Sequence, residues 1–179
     1  MSRVLLIFVH PAIHRSRANR ALVNSVRELP GVTLHDLYAE YPHHLIDVRR
    51  EQELLRQHDA IVWQHPFYWY SAPSLLKEWQ DVVLERGFAY GDQGHALRGK
   101  RLLSAITTGG PEPSYGPDGY NRYTIRQLLA PFDQTARLCG MEYLAPFVLH
   151  GVRELNDAAL ARAAEQYRER ILELKGAVQ

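Results

Sequence analysis

Four consecutive aromatic side chains, Phe67, Tyr68, Trp69 and Tyr70, are the chemically most unusual feature of this chain. They follow an apolar run and a polar stretch at residues 64–66, where a turn ordinarily carries small polar residues. Rings placed just beyond a buried strand favour a site for a flat, apolar ligand, because stacked aromatic pairs add about 0.5–1.5 kcal/mol beyond burial. An aromatic cluster within the hydrophobic core is the alternative explanation.

A second candidate segment lies where the first predicted helix begins. Ser16, Arg17, Ala18 and Asn19 bring together a hydroxyl, a cation and an amide. The free N–H groups and the dipole of a helix N-terminus already favour negative charge, so the segment predicts a site for an anion. His10, at the end of the preceding strand, would add a donor. An ordinary helix cap with solvated neighbours is the alternative.

The third segment is Thr107, Thr108, Gly109 and Gly110, which ends a buried strand with two residues that lack side chains. Glycine lets the backbone approach a ligand closely, and N–H groups there would stabilise negative charge that develops on it. A simple exit from strand to loop is the alternative. The sequence contains neither the glycine-rich dinucleotide motif nor the P-loop motif. A Rossmann dinucleotide site and a P-loop nucleotide site are therefore both disfavoured.

Alternating strands and helices must position these segments. We predict strands at residues 4–9, 32–37, 60–64, 101–106 and 142–149, and helices at 18–29, 48–58, 73–83, 124–138 and 156–174. Pro131 is tolerated by the fourth helix or kinks it. The buried stripe predicted for the third helix is Leu75, Leu76, Trp79, Val82 and Val83.

This alternation implies a parallel sheet with helices on both faces. The predicted fold class is α/β, a flavodoxin-like three-layer sandwich that forms one domain over residues 1–179, with five strands in the order 2-1-3-4-5. In that order strands one, three and four lie side by side, and ligands bind beyond their C-terminal ends. The three segments therefore converge, and we interpret their common ligand as a flavin held along its ring by residues 67–70 and 107–110.

Composition disfavours several other functions. A formal net charge of +1 provides no basic surface for nucleic acid, and Cys139, the only cysteine, favours a reducing compartment. We expect a cytoplasmic protein, because no charged leader precedes an apolar region and no run approaches ~18 apolar residues. The histidine spacings fit no zinc pattern, and no G-x-S-x-G motif suggests a serine hydrolase.

Several stretches carry a resemblance to a known family: residues 64–71, 73, 75–79, 87–91 and 107–110. From residue 4 to about 151 the chain resembles the NAD(P)H:quinone oxidoreductases, the DT-diaphorase-like flavoproteins. Residues 35–38, 41–42 and 46–47 also resemble one branch of that family, the ancillary proteins of glutathione-gated potassium efflux systems (KefF/KefG type).

The resemblance implies a homodimer that binds FMN or FAD and transfers electrons by a ping-pong reaction from NAD(P)H to a quinone. By position, His10 and residues 16–19 would meet the phosphate arm of the flavin. Tyr115 matches the family tyrosine that lines the hydride-transfer pocket. The histidine that the family carries a few residues later is absent, and Asn121 and Tyr123 stand near that position.

The branch further implies docking onto the cytosolic domain of a potassium/proton antiporter at the inner membrane. A second hypothesis is therefore a regulatory binding subunit with a structural flavin and little turnover. The missing histidine and a mouth crowded by Pro111, Pro113 and Tyr115 favour it. The sequence leaves open FMN or FAD, NADH or NADPH, and the acceptor, since azoreductases and nitroreductases share the fold.

Overall fold

The computed structural model describes residues 2–176 as six strands, seven α-helices and three 3-10 turns. The strands are β1 Val4–Phe8, β2 Val32–Asp36, β3 Ala60–Pro66, β4 Arg101–Thr107, β5 Glu142–Tyr143 and β6 Phe147–Leu149. The helices are α1 Arg17–Val26, α2 Leu37–Glu40, α3 Val48–Gln57, α4 Ser74–Val83, α5 Ile125–Leu128, α6 Ala130–Leu138 and α7 Asp157–Gly176. The 3-10 turns are Ile13–Arg15, Tyr68–Tyr70 and Glu112–Ser114.

All strand pairs within the sheet are parallel, in the order β2-β1-β3-β4-β5, and β6 also pairs with β4. The predicted fold class and strand order are thereby confirmed. β3 lies between β1 and β4, so the loops that follow these three strands emerge at the same edge of the sheet. That edge carries the three segments singled out above.

Two hydrophobic layers sandwich the sheet, which explains why β1 is apolar at every position. Leu5 and Ile7 point into one layer, where Trp63 and Trp79 pack with residues of α3, α4 and α6. The alternate residues of β1 point into the other layer, where α1 and α7 pack together. A central parallel strand must be apolar on both faces because helices cover both.

Helix boundaries follow local chemistry. Asp47 caps α3 by accepting from the Arg50 backbone N–H at 3.1 Å, and Asn156 accepts from the Ala159 N–H at 2.8 Å at the start of α7. The helix predicted over residues 124–138 is broken into α5 and α6 at Leu129. Pro131 lies in the first turn of α6, where its missing N–H costs nothing.

The predicted fifth strand, residues 142–149, is also interrupted. Pro146 has no N–H to donate to the ladder, and β4 pairs with Glu142–Tyr143 and then with Phe147–Leu149. Between the two paired stretches this strand carries one residue more than β4, as in a β-bulge. The extra residue shifts the register of everything that follows it.

Two smaller predictions were wrong. Val82 is 36% exposed rather than part of the buried stripe of α4, whose buried residues are Leu75, Leu76, Trp79 and Val83. β2 ends at Asp36, because the Asp36 carboxylate accepts from the Tyr38 and Ala39 N–H groups and starts α2 there. Among residues 2–176, no helix is both long and apolar enough to cross a membrane.

Candidate functional site

A cleft of 830 Å³ opens at the sheet edge where β1, β3 and β4 end. Its lining includes most of the residues predicted to bind a cofactor: His10, Ser16, Arg17, Ala18, Asn19, Phe67, Tyr68, Trp69, Thr107 and Gly109. The structure therefore brings together the three loops that the sequence placed at this edge. Tyr70 and Gly110 line a smaller adjoining pocket, and Thr108 is buried behind the turn.

The loop after β1 is held by its own side chains. The Nδ1 atom of His10 accepts from the Ala12 N–H at 3.0 Å, and its ring lies edge-on to Tyr68 at 6.2 Å between centroids. Burial, and then the neighbouring His14, lower the pKa of His10. Ser16 caps α1 by accepting from the Asn19 N–H at 3.2 Å. His10 is therefore a neutral wall of the cleft near neutral pH, rather than a cation.

Asn19 joins the first loop to the loop after β4. Its Nδ2 donates to the Thr107 hydroxyl at 2.9 Å, and its backbone carbonyl accepts from Gln64 at 3.2 Å. The Oδ1 atom of Asn19 is buried and has no hydrogen-bond partner within residues 2–176. A buried acceptor without a partner is costly, so this atom fits a site completed by a ligand or by water.

The cations of the cleft differ from the one that the sequence suggested. Arg17 donates to Asp157 at 2.5 Å and to the Leu155 carbonyl at 3.1 Å, so its guanidinium is already committed to the start of α7. Arg15 and Arg153 also line the cleft, and neither forms a salt bridge within the described part of the chain. These two side chains supply the uncommitted positive charge that an anionic ligand would meet.

The aromatic turn is strained and exposed. The backbone φ is 49° at Trp69 and 61° at Tyr70. Both values lie in the left-handed region, which residues other than glycine and asparagine seldom adopt. Trp69 is 93% exposed, and Tyr68 and Tyr70 are each 44% exposed. An aromatic core cluster is therefore excluded as the explanation of residues 68–70, whereas Phe67 is partly buried and packs against the core. Strain and exposed apolar surface together mark a turn shaped for contact with something else.

Tyr115 lies in a smaller pocket of 310 Å³ beside the cleft, which shares Phe67 and Trp69 with it. The Tyr115 ring packs against Phe67 at 6.5 Å and against His150 at 5.4 Å between centroids. Burial raises the pKa of Tyr115, and the adjacent Thr108 side chain opposes that rise. The phenol is therefore protonated near neutral pH and serves as a hydrogen-bond donor.

A fourth loop, after β6, contributes residues that sequence reasoning missed. Val152 and Arg153 line the cleft, and His150 contacts Tyr115. Backbone hydrogen bonds join this loop to the glycine turn: Thr108 N–H donates to the Leu149 carbonyl at 2.9 Å, and Gly151 N–H to the Gly110 carbonyl at 2.9 Å. Since the last strand pairs with β4, its end was a foreseeable neighbour of the site.

Gly109 lies beside Arg153. A Cβ built at Gly109 would meet Nε of Arg153 at 3.5 Å, an ordinary van der Waals contact, so the glycine brings the backbone of the turn close to this cation without being sterically required. Within residues 2–176 no group of three or more His, Cys, Asp or Glu side chains could hold a metal ion. Within the described residues, the site thus offers aromatic rings, tyrosine phenols, backbone amides and the guanidiniums of Arg15 and Arg153.

Solved structures share this architecture. A protein described as a thermophilic tryptophan halogenase from Streptomycin violaceusniger aligns with a TM-score of 0.92 and 46% identity, over 94% of this chain and 98% of its own. From that likeness we take the fold alone. General stress protein 14 of Treponema denticola, in complex with FMN, aligns with a TM-score of 0.91 and 38% identity, over 96% and 99% of the two chains.

A protein described as an NADPH-quinone reductase from P. pentosaceus aligns with a TM-score of 0.86 and 33% identity, over 94% of this chain and 96% of its own. A curated relative is the glutathione-regulated potassium-efflux system ancillary protein KefG of Pectobacterium carotovorum subsp. carotovorum (strain PC1). It is 50% identical over 167 residues, which cover 93% of this chain and 91% of the relative. Residues 2–171 also match the family described as having a flavodoxin-like fold. The chain therefore belongs to the flavodoxin-like family that includes the KefG ancillary proteins, as the resemblance in its sequence predicted.

Proposed function

We propose that this protein is a flavin-dependent NAD(P)H:quinone oxidoreductase that binds FMN in the cleft and reduces a quinone by two electrons. The observation that carries the proposal is the open cleft of 830 Å³ lined by the loops after β1, β3 and β4. Relatives support it: one protein 38% identical is in complex with FMN, and one 33% identical is described as an NADPH-quinone reductase. NAD(P)H is the proposed electron donor.

The residues present fit such a cofactor. A phosphate would meet the N-terminus of α1 together with Arg15 and Arg153, whose guanidiniums form no salt bridge within residues 2–176. A flat ring would lie between the exposed aromatic turn and the turn at residues 107–110. The buried Oδ1 of Asn19, which has no partner within residues 2–176, would gain one from a ligand donor or a trapped water.

The flavin when bound supplies the hydride chemistry, and the protein orients the reactants and stabilises charge. Phe67 and Trp69 form the apolar wall shared by the cleft and the smaller pocket, and they exclude water from the face where donor and acceptor stack. Tyr115 would donate its phenolic hydrogen to a quinone oxygen and stabilise the negative charge of the reduced acceptor there. The backbone amides of Gly109 and Gly110 would be available as donors to the edge of such a ring.

The test begins with the purified protein and its flavin-free form. We expect a yellow protein whose absorption is bleached by NADPH under anaerobic conditions and recovers when menadione is added. Titrating flavin-free protein with FMN and with FAD, followed by fluorescence, identifies the preferred cofactor. Failure to take up either flavin would refute the proposal.

A second function is favoured by a specific observation, the 50% identity to a KefG ancillary protein. We propose that the protein also docks onto the cytosolic domain of a potassium/proton antiporter, at the inner membrane, as a homodimer. In the alternative version of this proposal the flavin is structural and turnover is slight. Flavin-loaded protein that binds such an antiporter domain in pull-down and calorimetry, yet recovers no colour with menadione, would favour that version.

Arg15 and Arg153, rather than Arg17, should hold the phosphate of the cofactor. We expect the double replacement Arg15→Ala/Arg153→Ala to raise the Kd for FMN about 10²-fold, since each charge-assisted hydrogen bond contributes about 1.5–3 kcal/mol. Arg17→Ala is the matched control and should change the Kd less than about threefold, because Asp157 already occupies its guanidinium. Fluorescence titration measures all three proteins. A larger rise in the Kd for FMN in Arg17→Ala than in the double variant would contradict this assignment.

Replacing Trp69 in the strained turn should increase the stability of the fold and weaken the binding of FMN. We expect Trp69→Gly to raise the free energy of unfolding of the flavin-free protein by up to about 1 kcal/mol, because glycine relieves the left-handed strain. FMN affinity should fall about 10-fold as the aromatic wall is lost, which corresponds to about 1.4 kcal/mol. Urea unfolding and fluorescence titration measure the two effects.

Tyr123→Gly is the control for this prediction. Tyr123 is also exposed, but its φ is not in the left-handed region, so glycine there should destabilise by about 0.5–1 kcal/mol. Equal losses of stability in the two variants would show that the turn carries no strain worth relieving.

A further inference from the structure

The extra residue between β5 and β6 determines which side chain stands opposite the glycine turn. β4 and β6 pair Thr107 with Leu149, and the Thr108 N–H donates to the Leu149 carbonyl at 2.9 Å. The next residue, His150, is thereby level with Thr108. Had the register of β5 continued unbroken, Leu149 would stand level with Thr108 instead, and a slip of one residue reverses the face that each side chain occupies.

The contacts of the Thr108 hydroxyl favour one tautomer of His150. The Thr108 hydroxyl donates its one hydrogen to the Gly110 carbonyl at 2.8 Å. The same oxygen lies 3.1 Å from Nδ1 of His150, and with its hydrogen on the Gly110 carbonyl it can only accept there, which favours the tautomer with the hydrogen on Nδ1. The imidazole is thereby tied to the turn that is expected to face the cofactor.

The same imidazole ring also packs against the ring of Tyr115. The two ring centroids are 5.4 Å apart at 43°, and Phe67 lies 6.5 Å from Tyr115. We propose that His150 is a positioning residue: its ring holds the side chain of Tyr115, and its Nδ1–H anchors that ring to Thr108, so that the Tyr115 hydroxyl is aimed into the acceptor pocket. This inference rests on the proposed function and assigns a residue to it from a different strand end.

Electrostatics agree with a holding role. Burial lowers the pKa of His150, against the opposing charge of Glu112. The imidazole is therefore neutral near pH 7. It can pack against Tyr115 and donate one hydrogen bond, but it does not supply a proton to the reaction. The histidine that the family carries after the Tyr115 position is absent from the sequence, and His150 contacts the same tyrosine from the loop after β6.

Two variants separate the two contacts of His150. His150→Asn retains an N–H donor near the Nδ1 position but removes the ring, whereas His150→Phe retains a ring and removes the donor. We expect each to lower kcat for menadione about 10-fold with flavin loaded, while His43→Asn, at an exposed position in a different loop, leaves kcat unchanged. In a Tyr115→Phe background neither variant should lower kcat more than about twofold further, because both act through the Tyr115 hydroxyl.

Two readouts require no turnover. Nitrogen-15 NMR of the wild-type protein should show His150 with its hydrogen on Nδ1, and the Tyr115 ring resonances should shift in His150→Asn but not in His43→Asn. The opposite tautomer, unmoved Tyr115 resonances, or fully additive losses with Tyr115→Phe would each overturn the inference. Expected NMR results in a protein that reduces no quinone would instead refute the proposed function and leave the contact established.

Discussion

Replacing Glu51 by alanine is expected to lower the free energy of unfolding by about 4 kcal/mol, the largest effect on stability that we foresee. The Glu51 side chain is fully buried on α3 and accepts hydrogen bonds from three side chains on other elements. His35 Nε2 lies 2.9 Å from both carboxylate oxygens, Tyr41 donates at 2.5 Å, and Trp79 Nε1 donates at 2.8 Å. Alanine leaves these donors buried without their acceptor and leaves a cavity between α3 and α4.

Urea unfolding followed by tryptophan fluorescence measures this loss. Glu53→Ala is the matched control on the same helix, because Glu53 is exposed and pairs with Arg56 and Gln57 on the helix surface. It should change stability by less than about 0.5 kcal/mol. If the two alanine variants unfold at the same urea concentration, the buried cluster contributes little to the fold.

The same carboxylate should make stability depend on pH in the acid range. Burial acts to raise the pKa of Glu51, but hydrogen bonds from His35, Tyr41 and Trp79 outweigh it, so the pKa lies below the ordinary 4.5. A lowered carboxyl pKa stabilises the folded state fully above the unfolded value, and this contribution is lost as the pH falls through the folded value. Wild type should therefore lose stability more steeply than Glu51→Gln below pH 4.5.

Tyr115→Phe is expected to lower kcat for menadione about 10²-fold and to leave FMN bound. One preorganised donor to a developing oxyanion contributes on the order of 10²–10³ in rate. The substitution removes only the hydroxyl, so the ring contacts with Phe67 and His150 persist. Anaerobic stopped-flow separates the two halves of the reaction, and bleaching by NADPH should slow far less than recovery of colour by menadione.

Tyr123→Phe provides the control for the tyrosine, since Tyr123 is exposed and lies outside the cleft and the smaller pocket. It should leave both half-reactions unchanged. Unaltered kinetics in Tyr115→Phe would remove Tyr115 from the mechanism, although the cleft would still be the proposed flavin site. Loss of FMN from Tyr115→Phe would instead give this residue a role in binding.

Much of the fold was predictable because its signals are local and periodic. Continuous apolar runs predicted the buried strands β1, β3 and β4, and the acidic and amide caps at Asp47 and Asn156 located the starts of α3 and α7. The helix break at Leu129 was also foreshadowed, by Pro131. The interruption of the last strand was missed, since residues 142–149 continue an apolar pattern through a register shift that only pairing with β4 reveals.

At the site, the sequence predicted three of the four loops that line the cleft, and the one cation it named is paired with an acid. Arg17 has the right position but is engaged by Asp157, a partner 140 residues away in the chain. Arg153 and His150 were missed because they follow the interrupted strand. Salt bridges between distant segments leave no local pattern in a sequence, so only the packed structure distinguishes a free cation from a paired one.

The sequence by itself determined the order of the sheet, the edge at which its loops meet, and the aromatic and glycine turns at that edge, because hydrophobic periodicity and turn chemistry act between near neighbours. The tertiary structure alone decided the rest. It enclosed Glu51 among three donors, strained Trp69 into the left-handed region and set His150 level with Thr108. These features depend on contacts between segments far apart in the chain, whose geometry is fixed only when the sheet and both helix layers pack together.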